Sequence, residues 1–216
     1  MNAEAQDTYP PAPWTLRGWG VATLQPVDLA QARCVAPPGA HVVPVWPGKT
    51  LGGLLLLAYG VGSTLHYNEL NLVAGLVRFD GRLAFWLPRL YVDSPASLAG
   101  GRAIWGAPKE LADFTFAAER TQTSVTIVRS DRALCRLTFG TPGRGLRLVL
   151  PMPAVGLRDG ALVPFTGRLA AHFSPVRVDV AIPADAAFAG LRLDRPFMGV
   201  RCDALELVVP PPHGGR

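Results

Sequence analysis

The sequence predicts a mainly β fold in which an antiparallel sheet closes on itself or packs as a sandwich. Three observations lead there. Many short apolar runs are separated by turn signals. The 23 glycines and 21 prolines are spread between those runs and not gathered in one tract, and only two segments have convincing helical spacing. With 216 residues, 49% of them hydrophobic, the chain is long enough to bury a full core as one domain.

Residues 1–13 are expected to form an extended arm, because Pro10, Pro11 and Pro13 oppose a helix. A first strand is predicted over Trp14–Leu24. Asp28 to Val35 has helical spacing, with Asp28 as N-cap and Pro37-Pro38-Gly39 as a stop. A second strand covers His41–Trp46. The longest apolar run, Leu51 to Gly62, is broken by four glycines and is shorter than the about 20 residues of a membrane-spanning helix, so it reads as buried strand. After a strand over Thr64–Leu72, Asp80-Gly81 sits between Val77-Arg78-Phe79 and Arg82-Leu83-Ala84-Phe85, the composition of a type I′ hairpin turn. Leu87 to Val92 extends the sheet. Ser94-Pro95 supplies an N-cap and a first-turn proline for a helix through Ile104, ended by Gly106 and Pro108. Strands near Leu111–Ala118, Ser124–Arg129, Ala133–Phe139, Leu146–Leu150, Arg168–Ile182 and Ala204–Val209 follow. The domain thus occupies residues 14–209, and 210–216 form a frayed tail.

The net charge of +5 and pI near 9.6 raise the question of a polyanion partner. The arginines recur singly, however, and the densest stretch, Arg129 to Arg147, alternates with apolar residues as the solvent face of strands does. No zinc finger, RNP-like motif or basic helix accompanies them, so no nucleic-acid partner is expected. The first 13 residues carry two acids, no basic residue and no apolar core of a secretory signal. Cys34, Cys135 and Cys202 are odd in number and lack metal-ligand spacing, which suits reduced thiols packed as small apolar residues. Together these features predict a cytoplasmic protein with no membrane segment and no bound metal.

Several familiar chemistries are missing: no GxGxxG or phosphate-binding loop, no GxSxG elbow, and histidines too scattered for a zinc site. What stands out is lysine. Only Lys49 and Lys109 break an otherwise all-arginine set of 21 basic residues. A lysine kept in such company suits a task that a guanidinium cannot perform, such as losing its proton and attacking a carbonyl. Lys109 stands at a helix-to-strand junction where a side chain can be held in a pocket. An attacking amine must be neutral, which apolar walls from Trp105, Ala107 and Pro108 or a nearby cation such as Arg102 would favour. Glu69, in His66-Tyr67-Asn68-Glu69, is the candidate carboxylate. The plain alternative makes Lys109 a solvated loop-end residue and Glu69 an ordinary strand acid. Lys49, following Pro47-Gly48, is expected in an exposed turn.

Leu90-Tyr91-Val92-Asp93, Ala99-Gly100-Gly101-Arg102 and Trp105-Gly106-Ala107-Pro108-Lys109 together resemble the signature of the acetoacetate decarboxylase family. Tyr67-Asn68-Glu69 resembles the family's Tyr-x-Glu. The resemblance implies a single-domain antiparallel β-barrel with two or three short helices, Lys109 forming an imine with a small keto-acid substrate, Glu69 as a second catalytic residue, no cofactor, and a homo-oligomer. It also implies substrate contacts from Arg17, Tyr67 and Trp105. The chain departs from the family in having Glu110 where the decarboxylases carry a second lysine, and in having no carboxylate between Gly52 and Gly62. Arg17 is offset from the family's substrate arginine, with Trp19 nearer the matched position. If residues 109 and 110 are extended, Glu110 points away from the amine. The expected activity is a carbon–carbon lyase working through an imine. The alternatives are an aldolase or dehydratase acting on a pyruvoyl or other keto acid, and a non-catalytic small-ligand-binding barrel.

Overall fold

The computed structural model describes residues 9–212. The arm expected at 1–13 and the tail at 210–216 therefore fall partly outside the described residues. In chain order the elements are β1 (Trp14–Asp28), α1 (Leu29–Cys34), β2 (His41–Val42), β3 (Lys49–Tyr59), β4 (Tyr67–Val73), β5 (Gly75–Phe79) and β6 (Arg82–Trp86). There follow β7 (Arg89–Val92), α2 (Pro95–Trp105), β8 (Lys109–Leu111), β9 (Asp113–Ala118), β10 (Thr123–Arg129) and β11 (Arg132–Phe139). The chain continues with β12 (Leu146–Arg158), β13 (Ala161–Pro175), β14 (Val178–Ala181), a 3-10 turn at Ala189–Leu191, and β15 (Met198–Val209).

The mainly β expectation holds, but the closed antiparallel barrel does not. Eleven strands form one sheet in the order β2-β5-β6-β12-β13-β15-β1-β3-β4-β7-β8, and β14-β11-β10-β9 form a second. The ladder is open, ending at β2 and β8, two and three residues long. Nor is it purely antiparallel, since β6 with β12 and β7 with β8 run parallel. The large sheet nevertheless curls, so that β1, β3, β4, β8, β12, β13 and β15 all face one cavity.

Alternation along the strands sorts the core into two parts. On β3, Leu54 and Leu56 pack with Leu70 and Leu72 of β4 and with Val125, Ile127 and Leu137 of the second sheet. The intervening Leu57 and Tyr59 join Trp14, Leu16, Tyr67 and Trp105 on the cavity side. A strand buried on both faces explains why the run Leu51–Leu57 carries no polar side chain.

β1 runs on to Asp28 and not Leu24, β4 starts at Tyr67 and not Thr64, and β15 starts at Met198 and not Ala204. Four further differences have local reasons. The strand expected over His41–Trp46 stops at Val42, where Pro44 soon removes a ladder donor. β12 runs on to Arg158 through Pro151 and Pro153, because β6 meets it only at Ala154 and Val155 and leaves the other flank free of pairing. The strand expected over Arg168–Ile182 divides after Pro175, β13 staying in the large sheet while β14 pairs with β11. Asp28 stands at the N-cap of α1 without capping it; its carboxylate accepts from Lys49 Nζ at 2.6 Å. Lys49 therefore opens β3 in a half-exposed ion pair and is not a free turn residue. Cys34 is exposed, against expectation, whereas Cys135 and Cys202 are buried, and burial pushes their thiols up to about 12 and about 11.

Two turn expectations are met closely. Asp80 and Gly81 both have positive φ, 46° and 71°, as a type I′ hairpin requires. Ser94 caps α2 by accepting from the Ser97 amide at 3.2 Å, and Gly106 ends it at φ 63°. Ser94→Ala should lower stability by about 1 kcal/mol in urea unfolding, since it strands a helix-end donor. An unchanged midpoint would show that the cap is dispensable.

Candidate active site

The cavity has a volume of about 380 Å³ and is lined overwhelmingly by apolar side chains. At its buried end stands Lys109, the first residue of β8, with a side chain 6% exposed. Its Nζ donates to Glu69 Oε2 at 2.7 Å and to Ser97 Oγ at 2.9 Å. It also lies 3.5 Å from the Tyr67 hydroxyl, 5.0 Å from the centre of the Tyr67 ring and 5.8 Å from that of Trp14. Burial, reinforced by the Glu69 carboxylate, holds the Tyr67 and Tyr59 phenols well above the usual tyrosine range, so both stay protonated.

Each stretch that drew attention in the sequence has a placing role. Asp93 accepts from the Asn68 amide at 2.7 Å and from its side-chain nitrogen at 2.6 Å, fixing β4 between Tyr67 and Glu69, whose side chains turn inward. Ser97, Gly101 and Trp105 recur every four residues and so share the face of α2 that meets the cavity. Two adjacent positions of this helix leave no room for a side chain without a shift of the neighbours. A Cβ on Gly100 would stand 2.6 Å from the Trp14 ring, and one on Gly101 would stand 2.6 Å from Cδ of Lys109. Arg102 donates twice to the Lys109 carbonyl, at 2.9 and 2.6 Å. It fixes the backbone under the amine and is not the neighbouring cation anticipated for it.

The structure brings Lys109, Glu69, Tyr67 and Trp105 together at one end of the cavity and leaves Arg17 outside. Arg17 follows the inward-facing Leu16 on β1 and so points outward, pairing with Glu206 at 2.9 Å with 53% of its side chain exposed. Trp19 is no substitute; it packs on Phe116, Phe139 and Arg201. Glu110 points away from the amine and pairs with Arg89 at 2.6 Å and Arg129 at 2.9 Å. Sequence reasoning missed Ser97, Trp14 and Tyr59. Ser97 could have been found from the helix alone, since it lies one turn before Gly101 on the face that carries Trp105. Trp14 and Tyr59 depend on pairings distant in the chain and left no local signal.

Among the described residues, no group of three His, Cys, Asp or Glu could hold a metal ion, and no helix is long and apolar enough to cross a membrane.

Fold and site together define a curled β-sheet protein with a lysine–carboxylate pair enclosed at the end of an apolar cavity. The chain belongs to the acetoacetate decarboxylase (ADC) family, whose model matches residues 2–154. It is similar to the acetoacetate decarboxylase of Legionella pneumophila, with a TM-score of 0.70 at 17% identity over 95% of this chain and 88% of that one. The enduracididine biosynthesis enzyme MppR complexed with pyruvate superposes with a TM-score of 0.67 at 15% identity, covering 99% and 92% of the two chains. Among curated relatives, Protein NEOXANTHIN-DEFICIENT 1 of Arabidopsis thaliana is 31% identical over 133 residues, 61% of this chain and 45% of that protein. The chain spans less than half the length of that relative.

Proposed function

We propose that the chain is a Schiff-base carbon–carbon lyase acting on a small keto compound through Lys109. The observation that supports this most directly is the enclosed pair of Lys109 and Glu69, 2.7 Å apart with side chains 6% and 7% exposed. A proton moves from the ammonium to the carboxylate along that contact, leaving a neutral amine. The amine attacks the substrate carbonyl carbon, and the Glu69 acid returns the proton to the carbinolamine oxygen, which departs as water. The resulting iminium accepts the electron pair of the bond between its α and β carbons as that bond breaks, leaving an enamine. Protonation of the enamine and addition of water then release the product and the free lysine. Ser97 and Tyr67 hold the amine in place, and Trp105 walls the reacting carbon.

A β-keto acid losing carbon dioxide fits this sequence of steps, and so does an aldolase, which the pyruvate complex of MppR favours; a dehydratase shares the imine but expels water from a carbon–oxygen bond instead. Arg17, outside the cavity, is withdrawn as the carboxylate clamp. We carry a cytoplasmic setting and a homo-oligomeric assembly in the same reading, on the free thiols and the family membership respectively. A non-catalytic ligand-binding role is the competing reading. Borohydride reduction in the presence of pyruvate, acetoacetate and neutral aldehydes, followed by peptide mapping, decides between them. A reduced adduct on Lys109 is expected; none from any carbonyl compound would leave only the binding role.

A further inference from the structure

The cavity says more about its occupant than the lysine does. Of the described residues that line it, only Lys109 and Glu69 carry charge, and they neutralise each other. A substrate carboxylate would enter an apolar space with no unpaired cation to meet it, at a desolvation cost of several kcal/mol. An apolar chain meets no such penalty.

Two polar groups in this space have no hydrogen-bond partner in the protein: the Tyr59 hydroxyl, beside Tyr67 at the lysine end, and the Asn71 carboxamide oxygen farther along β4. Tyr67, Glu69, Asn71 and Val73 alternate inward along β4, running from the buried end toward half-buried Val73. Asn71 is 5% exposed, and its carboxamide oxygen has no hydrogen-bond partner in the protein. It stands roughly 7 Å along the strand from Glu69, two residues at about 3.4 Å each. Leu55 stands opposite it on β3, and the lining also includes Leu51, Phe85 and Leu87. A buried carboxamide oxygen without a protein partner is costly, and a ligand hydroxyl placed against it supplies one.

We infer that the substrate is an aldehyde or ketone with an apolar tail and no carboxylate, entering carbonyl first, with a hydroxyl several bonds from the carbonyl that Asn71 holds. This rests on the imine reading above and narrows its substrate; Asn71 acts here as a specificity residue. Without a carboxylate, the lyase step is a retro-aldol cleavage of a substrate that also carries a β-hydroxyl. That hydroxyl passes its proton to the Glu69 carboxylate, and the electrons of the bond between the α and β carbons move to the iminium to give an enamine. The far fragment leaves as a carbonyl compound, and Glu69 returns the proton to the enamine carbon.

The test uses the full chain and a matched pair of probes, citronellal and its hydrate hydroxycitronellal, against pyruvate and acetoacetate. Each is trapped with cyanoborohydride, and adducts on the Lys109 peptide are measured against those on Lys49, which serves as the surface control. Binding of citronellol, which has no carbonyl and forms no imine, is followed by quenching of tryptophan fluorescence, since Trp14 and Trp105 line the cavity. We expect both aldehydes to label Lys109 at concentrations at least about tenfold below those needed for either keto acid. Hydroxycitronellal should need about three- to tenfold less than citronellal, the range one buried hydrogen bond provides. Asn71→Leu should erase that second preference and leave citronellal labelling intact, which also reports a folded cavity; Asn71→Ala replaces it if the leucine variant does not fold.

Keto acids labelling Lys109 as readily as the aldehydes would overturn the substrate class and leave the imine standing. No labelling by any carbonyl compound, with citronellol still bound, would overturn the imine and leave the apolar ligand. Failure of both would overturn both, and a hydroxyl preference that survives in the Asn71 variants would remove Asn71 from the assignment.

Discussion

Lys109→Arg is expected to abolish turnover and borohydride trapping together. Arginine retains the charge and can still donate to Glu69, but it does not deprotonate in a protein and forms no imine. Its added bulk is not free, because Gly101 already lies against the lysine methylenes, so the variant should lose about 1–3 kcal/mol through overpacking. That loss is small enough for circular dichroism to show a folded chain. The control is Lys49→Arg, in which the half-exposed pair with Asp28 survives and activity should be unchanged. Adduct formation that persists in Lys109→Arg and vanishes in Lys49→Arg would place the chemistry on the wrong lysine.

The second large effect concerns stability. Glu69→Leu removes the counter-ion of a buried ammonium and should cost about 3–5 kcal/mol, because the lysine is left charged in an apolar wall. Removing both charges, in Glu69→Leu/Lys109→Met, should recover most of that loss, since two packed apolar side chains need no compensation. Urea unfolding of the two singles and the double variant, at one pH, measures the coupling. Additive losses would mean that the two groups do not sense each other across 2.7 Å, contrary to their geometry. The cycle also bears on function, for a pair that stabilises little when replaced by apolar residues is retained for some other reason.

Much of this was readable from residues alone. Hairpin chemistry at Asp80-Gly81, the Ser94-Pro95 start and Gly106 stop of α2, and the doubly buried β3 are all short-range signals, and all appear where expected. Lys109 and Glu69 were singled out by composition and motif, yet their meeting depends on β8 joining β7 in parallel and β7 joining β4, a juxtaposition no local pattern dictates. The misreadings share that origin. Arg17 was placed by chain position, but strand alternation decides the face. Arg102 was taken for a cation near the amine, but the helix end turns its guanidinium onto a backbone carbonyl. The expected closure is likewise a matter of long-range pairing: the sheet ends at β2 and β8, which do not pair with each other.

The mutual neutralisation of Lys109 and Glu69 makes the site a zwitterion that can relax internally to an uncharged pair by moving one proton 2.7 Å or less. No exchange with bulk solvent is needed. The balance between the two tautomers depends on what fills the cavity, because separated charges lose solvation as water is expelled while a neutral amine and acid lose little. On the imine reading proposed above, an apolar occupant would favour the uncharged pair, and nucleophilicity would be coupled to occupancy without any moving part.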